Sequence, residues 1–251
     1  MPLCRQLIIG RIRWVMIHVQ PPADDALELA DSHLLRAAQL TLRHIVDDGP
    51  IGLTPSKALK RHFVTWAATA FDWPHYTAED LFAINKVLNE HDFPPLMVLH
   101  DVLLSAKLVR HRKGFLHITK TGKKLLDHPG SLWVVLAEHM LLVIDHAEYT
   151  RYGDQLGSDW HLFLNLINVE AHMGMTEERF CTVLLGVDDN DYRLHSLVYV
   201  HVLRPLCWLG LLHESRHGEP YPTERVFTKT ALWPVALTLD TDDDLAVPSL
   251  H

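Results

Sequence analysis

At 251 residues and 48% hydrophobic content, the chain is long enough for one large domain or two of ordinary size, with a substantial core. A net charge of −8 argues against a protein that coats nucleic acid with its whole surface. Three widely spaced cysteines, Cys4, Cys181 and Cys207, fit neither a disulfide framework nor a zinc knuckle, and read as core residues of a reducing, cytoplasmic compartment.

The opening stretch MPLCRQLIIGRIRWVM is basic and apolar but lacks a full signal-peptide core and a cleavage site. It reads as a short strand or an upstream extension with Met16 as an alternative start, so residues 1–15 are expected to be dispensable. Residues 1–31 then form an N-terminal extension and lead-in. The next segment, 32–46, places Leu35, Ala38, Leu42 and Ile45 on one helical face and stops at DDGP. Thr54 followed by Pro55 predicts a helix start that runs on to Phe71. Thr77 with Asp80 three residues later opens another helix, expected over AEDLFAINKVLNE. Pro94 and Pro95 begin an apolar helix that leads into a hairpin, LVRHR and FLHIT, around Lys113-Gly114. A short helix, KTGKKLLD, follows.

Ser131 is the expected cap of a long helix reaching about Tyr149. Its apolar run, 132–144, is too short to cross a membrane and carries Glu138 and His139. Asp159 and Thr176 open two further helices. The apolar stretch 192–212 is expected to kink or end near Pro205. A second hairpin and the acidic run DTDDD complete the chain, the latter read as a solvated tail, 240–251.

The tripeptide Thr-Lys-Thr occurs twice, at Thr119 and at Thr228, each time after an apolar helix and a hairpin. Leu108 matches Leu211 with an offset of 103, and Thr119 matches Thr228 with an offset of 109, so six extra residues are assigned to the second hairpin. The expected fold is therefore mainly α with short β-hairpin wings, as tandem winged-helix-like (helix-turn-helix) units over 32–130 and 131–239.

Charge is unevenly spread. Seven basic residues and no acid lie between Lys107 and Lys124, whereas eleven acids face two arginines between Glu138 and Asp191. Arg110, Arg112, Lys113, Lys120, Lys123 and Lys124 are the candidate nucleic-acid-binding residues, pairing with phosphates of double-stranded DNA without reading sequence. Lysines at a helix start gain nothing from its dipole, so an external anion or the acidic middle region would explain them. The preceding helix exposes only His100, Asp101, Ser105 and Lys107, a poor set for base edges. The alternative is a protein-interaction scaffold with a solvated basic wing, self-associating or binding a basic partner through its acidic region.

Nineteen histidines raise a metal site, but the pairs His213/His217 and His139/His146 lack HExxH or cysteine partners, so no metal and no cofactor is expected. No phosphate loop, dinucleotide fingerprint or nucleophile elbow is present, and an enzyme is the third reading.

Four stretches carry a family resemblance: IGLTPSKALKRHFVTWAA (51–68), NKVLNEHDFPPL (85–96), ITKTGKKLL (118–126) and VLRPLCWLGLL (202–212). They resemble a proteobacterial family of plasmid-borne, ORF-three-like hypothetical proteins, across most of 51–239. The resemblance implies no activity, catalytic residue or cofactor. It does imply a bacterial cytoplasmic setting and a link to plasmids or other mobile DNA.

Overall fold

The computed structural model describes residues 18–150, 156–157, 159–186, 192–218 and 224–245. Its first half runs β1 (His18–Val19), α1 (His33–Asp47), β2 (Ile51–Gly52), α2 (Arg61–Phe71), α3 (Ala78–Ile84), α4 (Pro94–Ser105), β3 (Val109–Arg112), β4 (Phe115–Ile118), α5 (Lys120–Leu125) and α6 (Pro129–Leu142). The second runs α7 (Trp160–Glu170), β5 (Met175–Thr176), α8 (Glu177–Leu185), α9 (Tyr192–Val198), a π-helical turn (Tyr199–Leu203), α10 (Arg204–Trp208), β6 (Leu212–His217), β7 (Glu224–Lys229), α11 (Leu232–Ala236), β8 (Leu237–Thr238) and α12 (Asp242–Leu245). The described chain is mainly helical, with two three-stranded antiparallel sheets in the orders β2-β4-β3 and β5-β7-β6. In each half a short early strand pairs with the second strand of the later hairpin.

Most elements start where local chemistry places them. Ser32 accepts from the Leu35 amide, and the α1 face of Leu35, Ala38, Leu42 and Ile45 is buried. Thr77 and Asp80 form a capping box, although α3 ends at Ile84, earlier than expected. Thr119, Asp159 and Thr176 cap α5, α7 and α8.

Three further starts or stops differ from the sequence reading. Thr54-Pro55 does not open a helix. The Thr54 hydroxyl accepts from the Ala58 amide, Lys57 sits at φ 68, and the Leu59 amide donates to Glu90 Oε2 at 2.6 Å. A buried carboxylate thus claims the amide that a helix would have used, and α2 begins at Arg61. Ser131 is not the cap of α6 either. Pro129 starts that helix, and Asp24 accepts from the Gly130 amide at 2.9 Å from 106 residues away. The helix ends at Leu142, and a separate 3-10 turn, His146–Tyr149, follows. Near Pro205 the expected kink takes the form of the π turn: Arg204 donates to Tyr199 across the widened loop before the proline ring.

The two Thr-Lys-Thr segments do not sit in the same register. The Thr119 amide donates to the Leu108 carbonyl, and its hydroxyl to those of Lys107 and Leu108. In the second half it is Thr230, not Thr228, whose amide donates to Leu211 and whose hydroxyl reaches Gly210 and Leu211. Lys107 (φ 56) and Gly210 (φ 79) occupy the same left-handed position before each first hairpin strand. Thr119 and Thr230 are offset by 111 where Leu108 and Leu211 are offset by 103, so the second hairpin is longer by eight residues rather than six. Val226 and Phe227 pair with Ser215 and Glu214, as the expected hairpin requires.

The first and last described segments are stitched together. β1 pairs with β8, and Gln20 donates to the Ala236 carbonyl. The described part of the acidic tail is not free: Asp242 accepts from Asn168 and Leu239, and Thr241 bonds to Asn165. The reading of residues 1–15 as dispensable lies outside the described residues. One core runs through both halves, and Trp133 of α6 joins them by donating to the Leu209 carbonyl at 2.8 Å.

Candidate functional site

The first hairpin turns at Lys113 (φ 51) and Gly114 (φ 77), two consecutive left-handed residues, as a two-residue hairpin turn requires. Strand alternation sends Val109 and Leu116 into the core and turns Arg110 and Arg112 outward. Across the ladder Arg110 faces His117 and Arg112 faces Phe115, which is 44% exposed. α5 is held against this sheet by Gly122. A Cβ there would collide with the Leu108 carbonyl oxygen, so only glycine lets the helix approach. With Gly122 inward, Lys120, Lys123 and Lys124 face solvent.

All six candidate residues are therefore exposed, on one hairpin and the helix that follows it. None of them forms an ion pair with a described residue, those of the acidic middle region included. The helix dipole favours two of the three α5 lysines. α5 is only six residues long, so Lys123 and Lys124 fall in its last turn, where the negative end of the dipole favours them; Lys120 alone stands at the disfavoured end.

The helix ahead of the hairpin differs more sharply from expectation. His100 is 6% exposed, its Nδ1 lying 2.6 Å from Glu90 Oε1 and its Nε2 lying 3.0 Å from His111 Nε2. Asp101 accepts from the Tyr149 hydroxyl at 2.6 Å, and the Ser105 hydroxyl lies 3.0 Å from His139 Nδ1. Only Lys107, beyond the end of α4, is exposed. The residues read as an exposed set are thus mostly internal partners, because Glu90, Tyr149 and His139 from other elements reach them. Spacing along the sequence carried no signal for the Glu90–His100–His111 chain.

The second hairpin is electrostatically different. Glu214 accepts from Arg216 at 2.8 Å and from the Tyr199 hydroxyl at 2.9 Å. Arg225 bonds Glu177 at 2.5 Å and stacks 4.0 Å from the Tyr199 ring centre. Burial outweighs the arginine at Glu177 and pushes its carboxyl up to about 7. Lys229, the lysine of the second Thr-Lys-Thr, is tied down by the Asn168 carbonyl and side chain.

The histidine pairs do not converge. His146 is buried, bonds the Met140 carbonyl at 2.7 Å, and is held down to about 4 by desolvation, while His139 points to Ser105. Among the described residues no group of three or more His, Cys, Asp or Glu is placed to hold a metal ion. No described helix is long and apolar enough to cross a membrane.

Two family models match the chain: the Y4jL N-terminal domain over residues 30–131 and the y4jL C-terminal domain over residues 150–231. The chain is 42% identical over 144 residues to the uncharacterized protein y4jL of Sinorhizobium fredii (strain NBRC 101917 / NGR234). That match covers 57% of this chain and 66% of the relative, just under two thirds of its length. No solved structure matches the chain. These matches bear out the resemblance to an uncharacterised proteobacterial family.

Proposed function

We propose, from the premise that the chain belongs to the uncharacterised two-domain Y4jL family, that it is a non-enzymatic cytoplasmic regulatory or interaction protein that grips the phosphates of duplex DNA. In this reading each half is a winged-helix-like unit, and the first supplies the contact through β3, β4 and α5. The repeated order of helix, short strand, helices and hairpin supports the tandem reading, as does the shared sheet order.

One observation carries the phosphate reading. Six exposed cations stand together without a carboxylate partner among the described residues, on a chain of net charge −8. Such a patch gains affinity by releasing condensed counterions from the duplex, which needs no base contact. The burial of α4 fits this, since a helix packed inside the core has no face to lay in a major groove. Binding should therefore be indifferent to sequence and steeply weakened by salt. The test is a gel shift with two unrelated duplexes, each at about 50 and about 200 mM salt; six phosphate contacts predict a loss of about 10³-fold between those salts. Sequence-selective binding, or binding that ignores salt, would rule out a purely phosphate-based grip.

A second reading is a protein-interaction scaffold. It is favoured by the interior position of the third helix in both halves, since most of Val198–Trp208 is buried as well as α4. On that reading the protein shows no DNA affinity at low salt.

A further inference from the structure

Between the two halves lies a cleft of about 520 Å³, within the size range of small-molecule sites. Trp73 and Trp208 line it, their rings meeting edge to face with centres 5.4 Å apart. Tyr76 and Tyr199 stand on the walls, with His33, His75 and His213 around them. The cleft shares no residue with the basic hairpin.

The turn that builds the first-half wall is strained. The Tyr76 amide donates to the Trp73 carbonyl at 2.9 Å, which leaves Pro74 and His75 at the corners and His75 at φ 65. A turn with proline followed by a left-handed residue ordinarily takes glycine or asparagine there. Asp72, just before Trp73, is also left-handed at φ 44. Strain of this kind persists where a site needs a side chain held in place.

Charge decides what the cleft can hold. Among the described residues no lysine or arginine lines it, so an anion meets no partner there. A cation fares little better. Glu214 is already bonded to Arg216 and Tyr199, and the Tyr199 and Trp208 rings already carry Arg225 at 4.0 Å and Arg204 at 4.8 Å. Asp31 is exposed, and solvent screens it. What remains is uncharged. The rings of His33, His75 and His213 and the hydroxyl of Tyr76 form no hydrogen bond to another described residue, while burial holds His33 and His75 below their ordinary value. A neutral imidazole offers one donor and one acceptor. Aromatic walls favour a flat ring stacked on one face with its edge toward a neighbour.

We propose that this cleft binds an uncharged planar heterocycle with hydrogen-bond donors and acceptors along its edge, the chemical class of a free nucleobase. The full chain is titrated with adenine, and separately with tetramethylammonium and benzoate as charged comparators, following tryptophan fluorescence and ligand NMR line width. A ligand of this size should bind saturably with Kd of about 0.1–5 mM, and the comparators at least about tenfold more weakly. His75→Gly removes an imidazole from a backbone position that glycine adopts freely, so the melting temperature should hold or rise while adenine affinity falls by about fivefold or more. Tyr76→Ala, checked for folding in the same way, should also weaken binding. The proposal is overturned if the adenine Kd exceeds about 5 mM, if either comparator binds as tightly, or if both variants bind unchanged.

Discussion

Glu90→Ala should be among the most damaging single substitutions in the first half. Glu90 is 6% exposed, and both carboxylate oxygens are engaged: Oε2 takes the Leu59 amide and Oε1 meets His100 Nδ1, each at 2.6 Å. Through His100 the carboxylate also reaches His111 on β3, the inward-facing neighbour of Arg110 and Arg112. Truncation orphans a buried amide and a buried imidazole. A charge-assisted hydrogen bond contributes about 1.5–3 kcal/mol, and breaking a buried pair costs about 3–5 kcal/mol. For a chain of this size that is a fall of about 6–20 °C in Tm, measured by thermal and urea unfolding. Glu90→Gln is the informative companion. Its amide oxygen can accept from Leu59, and its NH2 can donate to the opposite tautomer of His100, so it should recover most of the loss. An alanine variant within about 1 kcal/mol of the parent, or a glutamine variant no better than alanine, would refute this hydrogen-bond reasoning.

Glu177 yields a pH prediction. Its folded value, about 7, lies above the ordinary 4.5, so the native state binds the extra proton and stability falls as pH rises from about 4.5 through 7. Glu177→Gln should flatten that slope and be more stable than the parent at pH 8 by about 1–3 kcal/mol, with little difference at pH 5; equal stability at pH 8 would contradict it. His146 works in the opposite direction. Its folded value, about 4, lies below the ordinary 6.5, so its stabilisation is lost as pH falls from 6.5 toward 4. His146→Gln should remove that acid-side loss in urea titrations, and an unchanged slope would count against it. Gly122→Ala should cost about 2 kcal/mol or more, because the new Cβ collides with the Leu108 carbonyl; an unchanged Tm would mean that α5 does not depend on this close approach.

Local signals were readable where the deciding partner lies within a few residues. The Thr77–Asp80 box, the Pro94 start, the Lys113-Gly114 turn and the Asp159 and Thr176 starts all belong to that group. Reading failed where a distant group intervenes. Glu90 converts 54–60 from helix to turn, and Asp24 takes the capping role assigned to Ser131. The same cause hid His100, since a polar residue on an amphipathic helix looks exposed until its buried partner is known. The second Thr-Lys-Thr misled because identical letters sit two places apart in the backbone pattern, with Lys229 bound to Asn168 while Lys120 is bare. The basic patch was legible from the charge run itself. Its lack of carboxylate neighbours among the described residues, and the self-neutralised second hairpin, depend on contacts across the fold that no spacing reveals.

The most direct measurement compares the salt dependence of duplex-DNA affinity for the parent and a Lys120→Ala, Lys123→Ala, Lys124→Ala variant. Six phosphate contacts predict a log–log slope near about −5 for the parent, and the loss of three predicts about −3, with weaker binding at every salt concentration. These lysines are exposed and make no ion pair with a described residue, so the melting temperature should stay within a degree or two. A parent that fails to bind duplex DNA at about 50 mM salt, or a variant with the parent's affinity and slope, would contradict the phosphate-contact reading.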